Sequence, residues 1–236
     1  MKAIALIPAR GGSKGILKKN LKKLNGKPLI FYAIDSAKKS KKFDRIIVST
    51  DNKEISRISK KFGAEVPFSR PKKISGDKTP MVDVVKHTLD FLKKNNDYIP
   101  DIISILQPTS PNRTSKIIID SFNLLKKNNA SSVISVAKTK HPPITLFENK
   151  NNFLKPFDKN FQKYTIRQSL PSLYFPTGTI YTFWSDTIKK YDSLYGPKIF
   201  PMIITDYIQI LDIDEPFDFF ISEMTIKYWK KYLKKF

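Results

Sequence analysis

No cysteine occurs among the 236 residues, which excludes a disulfide framework and a thiolate metal site and gives no reason to place the chain in an oxidising compartment. Histidine occurs twice, at His87 and His141, too few for a histidine-rich metal centre. Long apolar runs are missing too. The opening stretch breaks at Pro8, far short of a secretory signal, and no later run approaches a bilayer-spanning length. The expectation is a soluble, cytoplasmic protein. Arginine is scarce: six of 43 basic residues, in a chain of formal net charge +22. Proteins that read nucleic acids rely on the bidentate guanidinium fork. Here the positive charge is carried by scattered lysine doublets such as Lys22-Lys23 and Lys126-Lys127, which suit solvated faces. No polynucleotide partner is expected. The basic, amphipathic tail from Ile226 to Phe236 keeps an RNA- or membrane-binding module as the alternative of a different class, although such terminal helices usually dock on their own domain.

What is present is an alternation of apolar β-like runs with amphipathic segments, the pattern of a parallel sheet with helical crossovers. Strands are expected at Ala3 to Ile7, Arg45 to Ser49, Glu65 to Phe68, Ile102 to Leu106 and Ser132 to Val136. Between them the spacing predicts helices after Pro28, after Asp51 up to Gly63, from Met81 to Lys94 and from Lys116 to Asn128. From His141 to Pro171 the chain turns polar, aromatic and proline-punctuated, and reads as an insertion. Strands then resume at Gly178 to Trp184, Met202 to Thr205 and Tyr207 to Ile210, and a last helix starts near Pro216. The length suits one α/β domain over residues 1–236.

The most informative segment follows the first strand: Ile7-Pro-Ala-Arg-Gly-Gly-Ser-Lys-Gly-Ile-Leu-Lys-Lys-Asn20. Gly11, Gly12 and Gly15 allow backbone N–H groups to approach phosphate oxygens, and Arg10, Lys14 and Lys19 add positive charge. The spacing is neither a Walker loop nor a dinucleotide fingerprint. A glycine-rich basic loop at the carboxyl end of a first parallel strand stands where α/β folds bind nucleotides.

This run, with Ile47-Val-Ser-Thr-Asp51, Leu106-Gln-Pro-Thr-Ser-Pro-Asn-Arg113, Arg167-Gln-Ser-Leu-Pro171 and Asp212-Ile-Asp214, resembles the ordered motifs of the acylneuraminate cytidylyltransferases, the CMP-sialic acid synthetase family. The resemblance spans nearly the whole chain. It implies a Rossmann-like nucleotide-diphospho-sugar transferase fold, with a mostly parallel sheet and helices on both faces. It further implies CTP as donor, a nonulosonic acid as acceptor and Mg2+ as cofactor, the eight-carbon Kdo acid being the runner-up acceptor. Nucleotide contacts fall by resemblance on Arg10, Gly11, Gly12, Ser13, Lys14, Lys19, Asn20, Arg70 and Asp77. Acceptor contacts fall on Gln107, Arg113, Arg167 and Tyr181, with a core role for Tyr181 equally open. Asp212 and Asp214, two residues apart after an expected strand, are expected on one face and able to hold Mg2+, with Arg10 and Lys19 as catalytic partners. Asp214 also reads as a helix N-cap.

Three positions depart from the sialic acid pattern. Thr177 precedes Gly178 where asparagine is common, Ile144 replaces a lysine, and Phe175 stands where one bacterial branch has arginine. These departures imply legionaminic or another bacterial nonulosonic acid as the acceptor. The family forms a homodimer through an excursion at the place of the 141–171 insertion, whose aromatics are too many for so short a segment to bury alone.

Overall fold

In strand β1 (Ala3–Pro8) the side chains divide by a period of two: Ala3, Ala5 and Ile7 enter one core cluster, Ile4 and Leu6 another. A strand apolar on both sides needs cover on both, and the rest of the chain supplies it. The computed structural model describes residues 1–159 and 170–234. After β1 come a small ribbon, β2 (Lys23–Leu24) and β3 (Lys27–Pro28), helix α1 (Leu29–Ser40), β4 (Arg45–Ser49) and α2 (Lys53–Lys61). Then follow α3 (Met81–Asn96), β5 (Ile102–Ile105), α4 (Ser115–Lys127) and β6 (Ser132–Lys138). The hairpin β7 (Phe147–Lys150) and β8 (Phe153–Pro156) precedes β9 (Tyr174–Trp184), α5 (Ser185–Tyr191), β10 (Ile199–Ile203) and α6 (Pro216–Leu233).

Six strands make one sheet in the order β10-β6-β9-β5-β1-β4. β1 runs parallel to β4 and β5, and β10 parallel to β6, whereas β9 is antiparallel to both its neighbours. On one face lie α1, α2 and α4, through Ile30, Ala33 and Ile34, Ile55, and Ile117, Ile118, Phe122 and Leu125. On the other, α3 and α5 contribute Val85, Leu92 and Ile188. Each such fully buried side chain contributes roughly 1.5–3 kcal/mol. A third, smaller cluster of Ile16, Leu24, Leu29, Ile213 and Phe219 ties α6 to the β2–β3 ribbon and to the glycine-rich segment.

The fold is the expected α/β class with a mostly parallel sheet. Helix ends follow local chemistry: Asn52 caps α2 by accepting from the N–H groups of Glu54 (2.9 Å) and Ile55 (3.0 Å), and Gly63, at φ +89°, lets the chain leave it. Two expected strands are absent. Residues 65–69 make only isolated bridges to Ile47 and Thr50. Tyr207 to Ile210 forms a turn, because Asp206 accepts from Ile208 N–H (3.0 Å) and its carbonyl from Gln209 N–H (3.0 Å). Side chains take up the carbonyls a ladder would have used: Asn112 donates to Ile208 and Thr179 to Gln209.

Candidate active site

Where β1 ends, its two parallel neighbours continue in opposite directions along the sheet, the switch point at which open α/β sheets form a ligand crevice. A cleft of about 480 Å3 opens there, lined by Pro8 from the end of β1, by Gln107, Pro108 and Thr109 following β5, and by Met81 and Val84 of α3.

The glycine-rich segment forms one wall. Gly11 donates its N–H to Asp51 Oδ1 (2.7 Å), and a Cβ at this glycine would stand 2.9 Å from Asn52 Cβ. At Gly15 a Cβ would lie 2.3 Å from the carbonyl oxygen of Asp214, so only glycine allows this approach. A short 3-10 turn, Lys19–Leu21, buries Asn20, whose amide donates to the Arg10 carbonyl (3.1 Å). Lys19 reaches across the cleft to the Ile213 carbonyl (2.7 Å) and Asp214 Oδ1 (3.0 Å). Arg10, Ser13, Lys14, Gly15, Lys19 and Asn20 all line the cleft, while Gly11 and Gly12 shape the loop behind them.

Arg70, Gly76, Asp77 and Thr79 close the far side. Arg70 is largely buried and anchored, donating through Nε to the Ser49 hydroxyl (3.0 Å) and through Nη2 to the Ser49 carbonyl. Burial pushes its guanidinium down to about 10, with Asp51 opposing. Asp77 is ion-paired with both Arg10 and Lys14.

Asp212 and Asp214 remain close although no strand precedes them. Ile213 N–H donates to the Thr109 carbonyl (2.9 Å), which pins this segment beside the loop after β5. Asp214 is not the helix cap: Glu215 takes the N-cap position of α6, and Asp218 accepts from the N–H groups of Asp214 (2.9 Å) and Glu215 (2.8 Å). The Asp214 carboxylate thus points into the cleft. Asp212 lies behind it, and its Oδ1 is buried without a hydrogen-bond partner among the described residues. Burial raises the Asp212 carboxyl above its ordinary range, Asp214 and Asp218 add to this, and the Thr109 hydroxyl and Lys19 oppose it.

Other expected acceptor contacts are distributed differently. Gln107 faces the cleft, but Arg113 is turned inward, 4% exposed, donating to the carbonyls of Thr179 and of Gln107 (2.7 Å). Burial pushes it down to about 9, with Asp212 opposing. Its place is therefore beneath the site, holding the Gln107 backbone against β9. Tyr181 packs against the second core cluster, and burial pushes its phenol up to about 12. Arg167, along with Phe161 and Tyr164, lies outside the described residues. The Thr177 hydroxyl turns inside, to Ser135 (2.9 Å) and Thr179 (3.0 Å), Ile144 is buried, and Phe175 is exposed.

Gly178 and Thr109 also shape the site, although neither is among the expected contacts. Gly178 sits at φ +72° within the bulge between β6 and β9, and a Cβ there would approach Gln107 Oε1 to 2.9 Å and Asp212 Oδ2 to 3.4 Å. The signal was the lone glycine inside an apolar strand. Thr109, two residues after Gln107, gave none beyond its block.

A switch-point cleft walled by a cationic glycine-rich loop and facing two carboxylates defines an α/β nucleotide-handling enzyme. A family model described as cytidylyltransferase matches residues 4–228, and the chain belongs to this family of nucleotidyltransferases. It is 33% identical over 227 residues to the CMP-N,N'-diacetyllegionaminic acid synthase of Legionella pneumophila, covering 94% of this chain and 95% of that one. It is 31% identical over 215 residues to the pseudaminic acid cytidylyltransferase of Campylobacter jejuni, covering 91% of each. A solved CMP:2-keto-3-deoxy-manno-octonic acid synthetase complexed with CTP superposes with a TM-score of 0.69 at 17% identity, over 96% of this chain and 99% of that one, and shares the fold.

Proposed function

We propose that the enzyme transfers CMP from CTP to the anomeric hydroxyl of a nonulosonic acid, in the cytoplasm where nucleoside triphosphates are made. The observation that carries this is the opposition, across one cleft, of Arg10, Lys14 and Lys19 to Asp214 with Asp212 behind it. The naming of both aligned relatives for nonulosonic acids supports the acceptor class.

Arg10, Lys14, Lys19 and the loop N–H groups receive the triphosphate, and the cytosine lies toward Arg70 and Thr79, against the apolar wall of Met81 and Val84. The acceptor lies over Gln107, whose amide can pack against Gly178 because that residue has no Cβ. Its C2 hydroxyl oxygen forms a bond to the α-phosphorus as the bond to the pyrophosphate oxygen breaks, and the hydroxyl proton is given up to the medium. Positioning and charge neutralisation account for most of the rate enhancement in such chemistry.

Asp212 and Asp214 fit Mg2+. Both offer hard oxygen donors, and the buried Asp212 Oδ1, without a hydrogen-bond partner among the described residues, has a lone pair to give. Mg2+ held there would neutralise charge on the triphosphate; it usually takes only one or two carboxylates together with substrate phosphates.

We also propose that the excursion from His141 to Pro171 pairs two copies of the chain. Its hairpin is a separate sheet, and Phe153, Leu154 and Phe157 on it are 79%, 70% and 59% exposed.

Incubation with CTP, Mg2+ and separate legionaminic, pseudaminic, N-acetylneuraminic and Kdo acids, followed by chromatography of CMP-sugars, tests the function. A product with at least one nine-carbon acid is expected. Turnover of Kdo alone would overturn the reading.

A further inference from the structure

The cations of the glycine-rich loop are already occupied by the protein's own carboxylates. Lys18 Nζ is 3.2 Å from Glu54, and Lys19 Nζ is 3.0 Å from Asp214. The arrangement at Asp77 differs in kind, because one carboxylate spans two cations: Oδ1 pairs with Arg10 and Oδ2 with Lys14, the latter at 2.7 Å. All three residues line the cleft, and Asp77 is carried there by the short loop between a 3-10 turn, Lys72–Ile74, and α3. Its side chain is 33% exposed, so an entering anion can reach the same cations.

We propose that Asp77 is an internal stand-in for substrate phosphate, holding Arg10 and Lys14 in register when the cleft is empty and competing with the triphosphate for them. The inference rests on the reading of this cleft as a CTP site and adds a regulating group to it. The two cations pull the Asp77 carboxyl below its ordinary range, so it is ionised at neutral pH, and a second anion brought to the same cations meets like-charge repulsion. A triphosphate must therefore displace this carboxylate, and pyrophosphate leaves with its help as the carboxylate returns. A direct contact between Asp77 and the nucleotide predicts the opposite sign: removing the contact weakens binding.

Calorimetric titration of CTP with Mg2+, and separately of inorganic triphosphate, into wild type, Asp77→Asn and Asp77→Glu tests this without an acceptor and so without turnover. Exposed ion pairs of this kind are weak, so Asp77→Asn is expected to bind both ligands about three- to tenfold more tightly, with Asp77→Glu near wild type. Thermal melts establish that each variant is folded, and should Asp77→Asn misfold, Asp77→Ser removes the same carboxylate and must show the same gain for both ligands. Unchanged or weaker binding of inorganic triphosphate by Asp77→Asn overturns the proposal. Should wild type bind no CTP while Asp77→Asn still binds triphosphate more tightly, the CTP reading fails and the stand-in survives. Should wild type bind neither, both fall.

Discussion

Lys19 and Asp214 face each other across the cleft at 3.0 Å, although 195 positions separate them in sequence. The same ammonium also holds the Ile213 carbonyl at 2.7 Å, and Gly15, four residues earlier, lies against the Asp214 carbonyl. The first and last functional segments of the chain are thereby joined at one point. The small cluster of Ile16, Leu24, Leu29, Ile213 and Phe219 is the apolar support under that joint.

Asp212→Ala and Asp214→Ala are each expected to lower turnover at least about a hundredfold while leaving the fold intact. The reason is visible at Asp212: its buried Oδ1 has no hydrogen-bond partner among the described residues, so the desolvation cost relieved by its removal offsets the loss of the Thr109 contact and of the charge facing Arg113. A pyrophosphate-release assay beside circular dichroism and thermal melts checks this. Removing divalent metal with a chelator should silence the wild type, and excess Mg2+ should restore it. Near-normal rates in both variants would sink the metal assignment.

Gly178→Ala should impair the acceptor side alone. The backbone there is left-handed, costing a non-glycine residue about 1–2 kcal/mol, and the new Cβ would press on the Gln107 amide at 2.9 Å. A rise in KM for the sugar acid of about tenfold is expected, with CTP affinity unchanged. Kinetics with each substrate varied separately, beside CTP calorimetry, distinguishes the outcomes, and an equal loss on both sides would place the acceptor elsewhere.

His87 makes stability depend on pH. Burial first, and then the Arg70 guanidinium, hold its imidazole below the ordinary value of 6.5, with Asp90 opposing and Lys73 adding a smaller effect in the same direction as Arg70. Its ring meets Phe68 edge-on, 4.7 Å between centroids, and Nδ1 has no partner among the described residues. Because the folded value is the lower one, the unfolded chain takes up the proton first. The contribution is complete above 6.5 and is lost as the pH falls from there through the folded value. Urea unfolding at about pH 7.5 and about pH 5.5 should show a steeper loss for wild type than for His87→Gln. Equal slopes would contradict it.

Much of this was legible in the sequence, and the failures are physical rather than random. The continuous apolar run of β1 and the amphipathic segment after Pro28 placed the core, and the glycine-rich run after β1 located the cleft. Arg113 could not be read as buried, since the carbonyls it serves, Thr179 and Gln107, belong to segments far apart in sequence. Tyr207 to Ile210 looked like a strand by composition. It lacks a neighbour to pair with, and Asp206 turns it instead. The direction of β9 was equally hidden, because apolar continuity is the same for parallel and antiparallel strands.

Phe157→Asp is expected to shift a dimer to monomer in light scattering across a dilution series, and to lower activity in parallel. At 59% exposure the substitution costs little within one chain, so any effect reports on a neighbour. A fully active monomer at working concentration would refute the pairing of two copies.

β9 sits between β5 and β6, yet the ribosome makes it after both. Until Trp184 has emerged, Ile102 to Ile105 and Ser132 to Ile134 have no strand to bond with on their inward sides, and two raw edges face each other across a gap. The nascent chain therefore has no natural halfway point. An interrupted product ending before this strand would carry most of the glycine-rich cleft but an unzipped sheet, prone to clump with its own kind, so completion of the sheet waits for this late strand.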